Sequence, residues 1–290
     1  MRAFEYARPA TLQDAIALLQ AGPDPAILAG GTDLLVQIKE HVRQPARVID
    51  IKRIPGMDEF AFDAKEGLRL GALVTTRAVE TSPLAQRHYA SLARAATDFA
   101  SIQVRHRATV VGNVCRASPS ADTLPPLVAD GAELVIHGPG GERRCRVEDF
   151  CLGPGRTALQ AGEIVTQLRV PAPPPGTGKV YIKHGRRAQM ELATVGVAVT
   201  LTLREGCCER VSIVLAAVAP TPLRARAAEA LLQGKAPTPE RFERAAEAAA
   251  AESRPIADVR ASAEYRRDMV RVLTRRALEQ ALRRAQEEVR

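Results

Sequence analysis

Two domains of mixed helix and strand, an α/β part followed by an α+β part, are what the sequence predicts, and three observations carry that expectation. The first 55 residues alternate in the order strand, helix, strand, turn, helix, strand, the pattern of a small α/β unit. The run Pro171-Ala-Pro-Pro-Pro-Gly-Thr-Gly178 is the clearest linker in the chain, because proline and glycine resist both helix and sheet ladders. After it, strand-like stretches precede helix-like ones, the order of an α+β domain. A chain of 290 residues is long enough for two cores.

The elements follow in order. Thr11 caps a helix with Leu12, Ile16 and Leu19 on one face. Pro23-Asp24-Pro25 breaks it. Ala26 to Ala29 reads as a short buried strand, Gly30-Gly31 as a turn, and Thr32 as the N-cap of a helix running through Lys39, with Asp33 suited to its positive end. Paired glycines allow a sharp turn with outward amides, so Ile27 to Leu35 offers a row of donors for a phosphate or pyrophosphate. A plain strand-to-helix turn is the alternative. Arg47 to Lys52 is a strand, Glu66 to Ala72 another, Thr75 to Glu80 a short helical turn, and Pro83 to Ser101 a longer Ala-rich helix. The stretch from Gln103 to Pro126 is polar and irregular, and long loops inside compact domains usually carry function. Ala132 to His137 is a strand, Gly138 to Gly141 a turn, Arg143 to Val147 its partner, and Glu163 to Val170 one more strand. In the second domain Lys179 to Lys183, Thr194 to Leu203 and Arg210 to Val218 alternate as three strands. Ala225 to Gln233, Pro239 to Ser253 and Ala263 to Val289 are helical.

Composition narrows the function. Hydrophobic content of 46% and charged content of 26% are ordinary for a globular protein. Lys+Arg exceeds Asp+Glu by 41 to 33, giving a net charge of +8. Aromatic residues are 3% with no Trp, and the C-terminal arginines alternate with glutamates. A solvated helix face or an acidic protein partner explains that pattern better than nucleic acid. The five cysteines (Cys115, Cys145, Cys151, Cys207, Cys208) form no Cys-x-x-Cys pair, and the histidines (His41, His88, His106, His137, His184) have no ligand spacing. No apolar run has the length of a signal peptide or a membrane span, so a reducing, cytoplasmic location is expected. Gly176-Thr-Gly178-Lys179-Val180 lacks the Walker A spacing, no Gly-x-Gly-x-x-Gly opens a helix after a strand, and no Gly-x-Ser-x-Gly occurs. With no evident general acid or base, the pattern suits a protein whose cofactor carries the chemistry.

The polar stretch repeats the logic of the glycine turn. Thr109-Val-Val-Gly-Asn113 offers a hydroxyl, a permissive glycine and an amide, and Ser118, Ser120 and Asp122 add short polar groups. Such a segment suits the second half of a long ligand bearing phosphates and a polyol. A Ser/Asx-rich surface loop making its own turns is the alternative.

Four segments in order resemble the medium, FAD-binding subunit of the molybdenum hydroxylases, the group of bacterial carbon monoxide, xanthine, aldehyde and aromatic-heterocycle dehydrogenases. They are Leu28-Ala-Gly-Gly-Thr-Asp-Leu-Leu35; Gln103-Val-Arg with Ala108-Thr-Val-Val-Gly-Asn113 and Ala117-Ser-Pro-Ser-Ala-Asp122; Gly153-Pro-Gly-Arg-Thr157 with Gly162-Glu-Ile-Val165; and Tyr181-Ile-Lys183 with Arg186-Arg187 and the tail Ser262-Ala-Glu-Tyr-Arg-Arg267. The resemblance implies a vanillyl-alcohol-oxidase (PCMH) type fold. Two FAD-binding subdomains (1–57 and 58–173) precede a C-terminal domain (177–290) with a three-stranded antiparallel sheet and helices. By the same resemblance Ile27, Leu28, Ala29, Gly30, Gly31, Thr32, Asp33 and Leu34 wrap the pyrophosphate. Thr109, Gly112 and Asn113 bind its other side, Asp122 the ribityl or adenosine region, and Phe99, Val165 and Lys183 lie near the flavin ring. Lys183 there would stabilise the negative charge of reduced flavin; a strand lysine facing water is its alternative role.

The implied function is electron relay. A large molybdenum-cofactor subunit oxidises the substrate, a small subunit with two [2Fe-2S] clusters delivers single electrons, and FAD on this chain passes them to NAD, a quinone or another carrier, in a dimer of heterotrimers with no nucleic acid and no membrane span. No cysteine-bearing insertion is present, so FAD is expected as the chain's only redox centre. One departure stands out. The family usually has two glycines before the Asn, and here the first is Val111, whose branched Cβ disfavours a positive φ, so this loop is expected either not to need that conformation or to bind FAD differently or weakly. A self-sufficient flavin oxidoreductase and a flavin-free scaffold are the competing functions.

Overall fold

The computed structural model describes residues 2–289. Three sheets organise it. Strand β1 (Glu5–Ala7), helix α1 (Leu12–Gln20), β2 (Pro25–Leu28), α2 (Leu34–Lys39) and β3 (Arg47–Asp50) build the first, a parallel sheet in the order β1-β3-β2. Thr11 accepts the Asp14 amide at 3.1 Å and so starts α1 as the sequence predicts. Leu12, Ile16 and Leu19 turn onto the core.

The second sheet is antiparallel. Next in the chain come β4 (Phe60–Asp63), β5 (Gly67–Gly71), α3 (Thr76–Thr81), α4 (Pro83–His88), α5 (Ala90–Asp98), α6 (Ile102–Arg105), α7 (Val110–Arg116), α8 (Leu124–Ala129), β6 (Glu133–Gly138), β7 (Gly141–Arg146), α9 (Val147–Phe150), β8 (Cys151–Gly153), β9 (Arg156–Thr157) and β10 (Ile164–Val170). The sheet runs β4-β5-β10-β6-β7, with β8 and β9 pairing separately. β4 is an edge strand that the sequence pattern did not reveal.

Two expectations fail here for visible reasons. The single helix from Pro83 to Ser101 is broken at Tyr89, whose φ of −133° and ψ of 48° belong to neither helix. Its fully buried ring is anchored by hydrogen bonds from its hydroxyl to the carbonyls of Val170 and Pro171, at 3.2 and 3.1 Å. A second break follows Asp98, where Ala100 is left-handed (φ 45°). The buried guanidinium of Arg105 donates there to the carbonyls of Thr97 and Phe99, at 3.0 and 2.9 Å, satisfying the orphan acceptors of a helix end. The stretch from Gln103 to Pro126 is likewise not a long loop. It is mostly α6, α7 and the start of α8, with Ser101 and Thr109 as hydroxyl caps. Its polarity belongs to caps and short connections.

The C-terminal part adds β11 (Thr177–His184), β12 (Val195–Arg204), β13 (Cys207–Ala216), β14 (Leu223–Arg224), α10 (Arg226–Leu232), α11 (Pro239–Glu252) and α12 (Ala263–Val289). The three long antiparallel strands match the pattern in the sequence, and the two-residue β14 extends them. This sheet is covered on both faces. Val195, Val197, Val199 and Leu201 of β12 pack with Leu273, Ala277 and Ala281 of α12. Tyr181, Ala198 and Val214 join the core of the preceding part instead. Among the described residues no helix is long and apolar enough to cross a membrane.

Gly178 sets how closely α12 lies on β11, since a Cβ there would fall 1.8 Å from the Ala281 carbonyl oxygen. Gly178→Ala is expected to cost about 2–3 kcal/mol as overpacking. In thermal unfolding that reads as a fall in Tm of roughly 5–10 °C; an unchanged Tm would contradict this contact.

Candidate functional site

The glycine turn and the polar segment meet. β2 ends at Leu28, and Ile51 donates its amide to the Leu28 carbonyl at 3.3 Å, holding the strand end in the sheet. Gly31 takes the left-handed conformation (φ 76°). Gly30 lies so close to the chain entering α7 that a Cβ would sit 2.0 Å from the Arg107 carbonyl oxygen. That chain is pinned from the other side by Thr76 N–H to the Ala108 carbonyl at 2.8 Å and Val110 N–H to the Val74 carbonyl at 3.1 Å.

Thr32 is not the cap of α2. Asp33 holds that position (φ −102°, ψ −49°), with no side-chain cap bond. Its carboxylate turns away to Gln37 and to Arg116 Nε at 2.8 Å, an ion pair between α2 and the end of α7. Among the described residues the amides of Gly30, Gly31, Thr32, Asp33 and Leu34 find no acceptor in the chain. Five adjacent donors on a half-exposed turn, from Ile27 to Leu34 largely apolar in side chain, form a cradle for an extended anion.

Val111, whose side chain raises doubt about a positive φ, needs none. It lies in α7 with its side chain in the core, 3% exposed, and is absent from the left-handed residues. Gly112 beside it is exposed, and a Cβ there would crowd Thr109 Oγ1 at 2.7 Å. That hydroxyl accepts the Gly112 amide at 3.0 Å. Thr123 Oγ1 donates to Asn113 Oδ1 at 2.7 Å, leaving the Asn113 amide hydrogens to donate elsewhere. Ser118 and Ser120 approach each other at 3.3 Å.

Asp122 and Lys183 come together across the seam between the two halves. Lys183 Nζ lies 2.8 Å from Asp122 Oδ2 and donates to the Asp98 carbonyl at 3.0 Å, and Tyr181 donates its hydroxyl to Asp122 Oδ1 at 2.8 Å. Lys183 is therefore a buried partner and not a strand lysine facing water. Burial raises the pKa of Asp122 more than Lys183 and Tyr181 lower it, and burial with the neighbouring Asp122 drives the Tyr181 phenol well above its ordinary value. Phe99 adjoins Asp98, half-buried. Val165 is a core residue at a bulge of β10, its side chain 3% exposed.

Sequence reasoning gave no role to Tyr181, Arg105 or Arg116. The alternation of β11 carries a signal for Tyr181, since residues two apart share a face and Lys183 was already of interest. Arg116 meets Asp33 only through the fold. No nucleophile emerges either: burial pushes the Cys115 and Cys151 thiols up to about 12 and about 11, where they stay protonated and inert. Among the described residues no three His, Cys, Asp or Glu side chains converge as metal ligands. The arrangement can bind and hold a long anionic ligand; it does not assemble an acid, base or nucleophile.

Comparison with known proteins agrees with this geometry. Residues 2–173 match the family described as the FAD binding domain in molybdopterin dehydrogenase, and residues 180–281 the CO dehydrogenase flavoprotein C-terminal domain. The chain is 37% identical over 281 residues to the carbon monoxide dehydrogenase medium chain of Hydrogenophaga pseudoflava, covering 96% of each. It is 32% identical over 279 residues to the xanthine dehydrogenase FAD-binding subunit of Escherichia coli O157:H7, covering 96% of this chain and 95% of that one. In structure it superposes with a TM-score of 0.93, at 38% identity and 98% coverage of both chains, on the carbon monoxide dehydrogenase of Hydrogenophaga pseudoflava that lacks the Mo-pyranopterin moiety of its cofactor. Quinoline 2-oxidoreductase from Pseudomonas putida 86 gives a TM-score of 0.90 at 28% identity, covering 100% of this chain and 99% of that one.

The seam pair makes a quantitative test. Lys183→Met strands a buried carboxylate and is expected to cost about 3–5 kcal/mol in denaturant unfolding, whereas D122L/K183M, which removes both charges, costs clearly less than the sum of the single variants. Strict additivity would mean that the two side chains do not interact.

Proposed function

The chain belongs to the FAD-binding subunits of the molybdenum hydroxylases, of carbon monoxide and xanthine dehydrogenase type, and on that footing we propose that it relays electrons from partner [2Fe-2S] clusters to an external acceptor. FAD is its cofactor, and the flavin supplies the ability to take electrons singly and give them up as a pair. The observation that carries the reading is the meeting of Gly30 with the backbone of Arg107, which brings two donor-rich segments to one place with five amides unpaired.

The chain's own part is binding, orientation and charge balance. Ile27 to Leu34 hold the pyrophosphate through the backbone, because the first turn presents amides and almost no charge. Thr109, Gly112 and Asn113 take its other side; the Thr109 hydroxyl fixes the first turn of α7 and Asn113 contributes its free amide hydrogens. Asp122 and Lys183 flank the remainder of the cofactor as a neutral pair, so that Lys183 acts as an oriented dipole with Asp122 and not as a lone charge. Phe99 adds an apolar edge. Val165, buried in the core, contributes through its backbone at the bulge of β10. The division into 1–57, 58–173 and 177–290 is supported by the sheets, none of which shares strands between two of these parts.

Partners are a large molybdenum-cofactor subunit that oxidises the substrate and a small [2Fe-2S] subunit, arranged as a dimer of heterotrimers in the cytoplasm. The name medium chain among the relatives supports a multi-subunit assembly. In the purified three-subunit complex, removing FAD is expected to stop delivery to the physiological acceptor while the iron–sulfur clusters are still reduced by substrate. Normal delivery without FAD would sink the relay.

The purified chain is expected to show flavin absorption bands and to release one FAD per chain on denaturation. A colourless protein that cannot take up FAD even with its partners present would overturn the assignment of both loops. Val111→Gly is expected to leave FAD content unchanged and to destabilise the chain by about 2–3 kcal/mol, from lost burial and a helical glycine. Tighter FAD binding by that variant would show that the second glycine matters after all.

A further inference from the structure

The tail Ser262-Ala-Glu-Tyr-Arg-Arg267 contains a buried cation with no role in the reading above. Arg266 is 3% exposed. Its Nη1 donates to the carbonyls of Thr194 and Ala217, at 2.6 and 3.0 Å, and its Nη2 meets Asp258 Oδ1 at 2.8 Å. Three separate backbone elements thus converge on one guanidinium: the 185–194 loop joining β11 to β12, the turn after β13, and the segment between α11 and α12.

One of those elements closes on the strand that carries Lys183, and another reaches the FAD-binding part. Thr194 donates its amide to the His184 carbonyl at 2.8 Å, closing the loop directly after Lys183. Ala217, held left-handed at φ 62°, donates its amide to the Pro119 carbonyl at 2.8 Å, three residues before Asp122. The rest of the tail acts in the same direction. Ser262 Oγ accepts the Tyr265 amide at 3.2 Å and starts α12, and the Tyr265 hydroxyl lies 2.9 Å from His184 Nε2.

We propose that Arg266 is a positioning residue for the flavin: through Thr194 and Ala217 it sets the placement of Lys183 and of the Pro119–Asp122 segment, which meet across the seam between the C-terminal domain and the FAD-binding part. This rests on the reading that Lys183 and Asp122 flank FAD. The planar fork suits the task, since its donors leave in fixed directions toward two carbonyls and a carboxylate; a lysine carries the same charge on a single flexible point. Asp258 stays ionised as the third contact, because the Arg260 amide, with Arg266 and the Ala261 amide, holds its carboxyl at about 2 against the opposing effect of burial.

The test compares Arg266→Lys, Arg266→Met and Tyr265→Phe with Arg267→Met, an exposed control, in the full chain. Amide exchange at Thr194 and Ala217, which needs no flavin, is expected to rise at least tenfold in the Arg266 variants while Val199 and Leu201 in β12 stay protected. FAD content is expected to remain at one per chain. At the wild-type midpoint potential, the ratio of oxidised to reduced flavin is expected to depart from unity by at least threefold in R266K, less in Y265F and not at all in R267M. Faster exchange with an unchanged flavin spectrum and potential would overturn the proposal and leave Arg266 a purely structural residue. Wild-type chain without flavin would instead defeat the reading on which it rests, and the exchange result would stand apart from that. If R266M fails to fold, R266K and Y265F still decide the matter.

Discussion

Everything at the candidate site depends on the absence of one carbon atom. Gly30 faces the backbone of Arg107 at a distance that leaves no room for a Cβ, and this contact makes two distant segments into one surface. A side chain at residue 30 would push the turn after β2 away from the chain entering α7 and separate the donors that must act together. Gly31 beside it is left-handed, and among the described residues the amides of Thr32, Asp33 and Leu34 that follow it find no acceptor within the chain. Because no cap side chain occupies those amides, the protein leaves unsatisfied what a structural helix start would satisfy. A local cost in hydrogen bonding is accepted where a ligand can offset it.

The seam between the two parts is built on a different principle. Instead of apolar packing alone, β11 sends two lysines into the preceding part. Lys179 meets Asp130 at 2.9 Å and Lys183 meets Asp122 at 2.8 Å, all four side chains nearly buried. Thr200 adds a hydrogen bond to Asp130 at 2.7 Å, and Lys179 lies 4.4 Å from the centre of the Tyr89 ring. Buried pairs contribute little net stability over apolar substitutes, but any other docking of the halves would strand charges. The pairs therefore specify one arrangement of the parts, and the second pair reaches the Asp98 carbonyl next to Phe99, where the cofactor is proposed to sit.

The sequence was most legible where local chemistry decides. The hydroxyl cap at Thr11, the alternation of β12 and β13, the proline-rich joint and the glycine turn all express short-range rules, and they stand in the fold. It was least legible between Pro83 and Pro126. There the helix breaks at Tyr89 because a buried ring must reach carbonyls some eighty residues away, and at Ala100 because Arg105 folds back to close the helix end. Val111 misled for a related reason: counted against glycine in a loop it looks strained, but in α7 it is an ordinary core residue.

By itself the sequence determined the class of the fold, the order of its parts and the two segments proposed to cradle an anionic cofactor, because spacing, capping and turn chemistry act within a few residues. Only the tertiary structure decided that these segments touch, that Asp33 pairs with Arg116 instead of capping α2, that Lys183 is neutralised by Asp122, and that Arg266 gathers three loops. Each of those facts joins residues far apart in the chain, where geometry is set by the packing of whole sheets and carries no local signature.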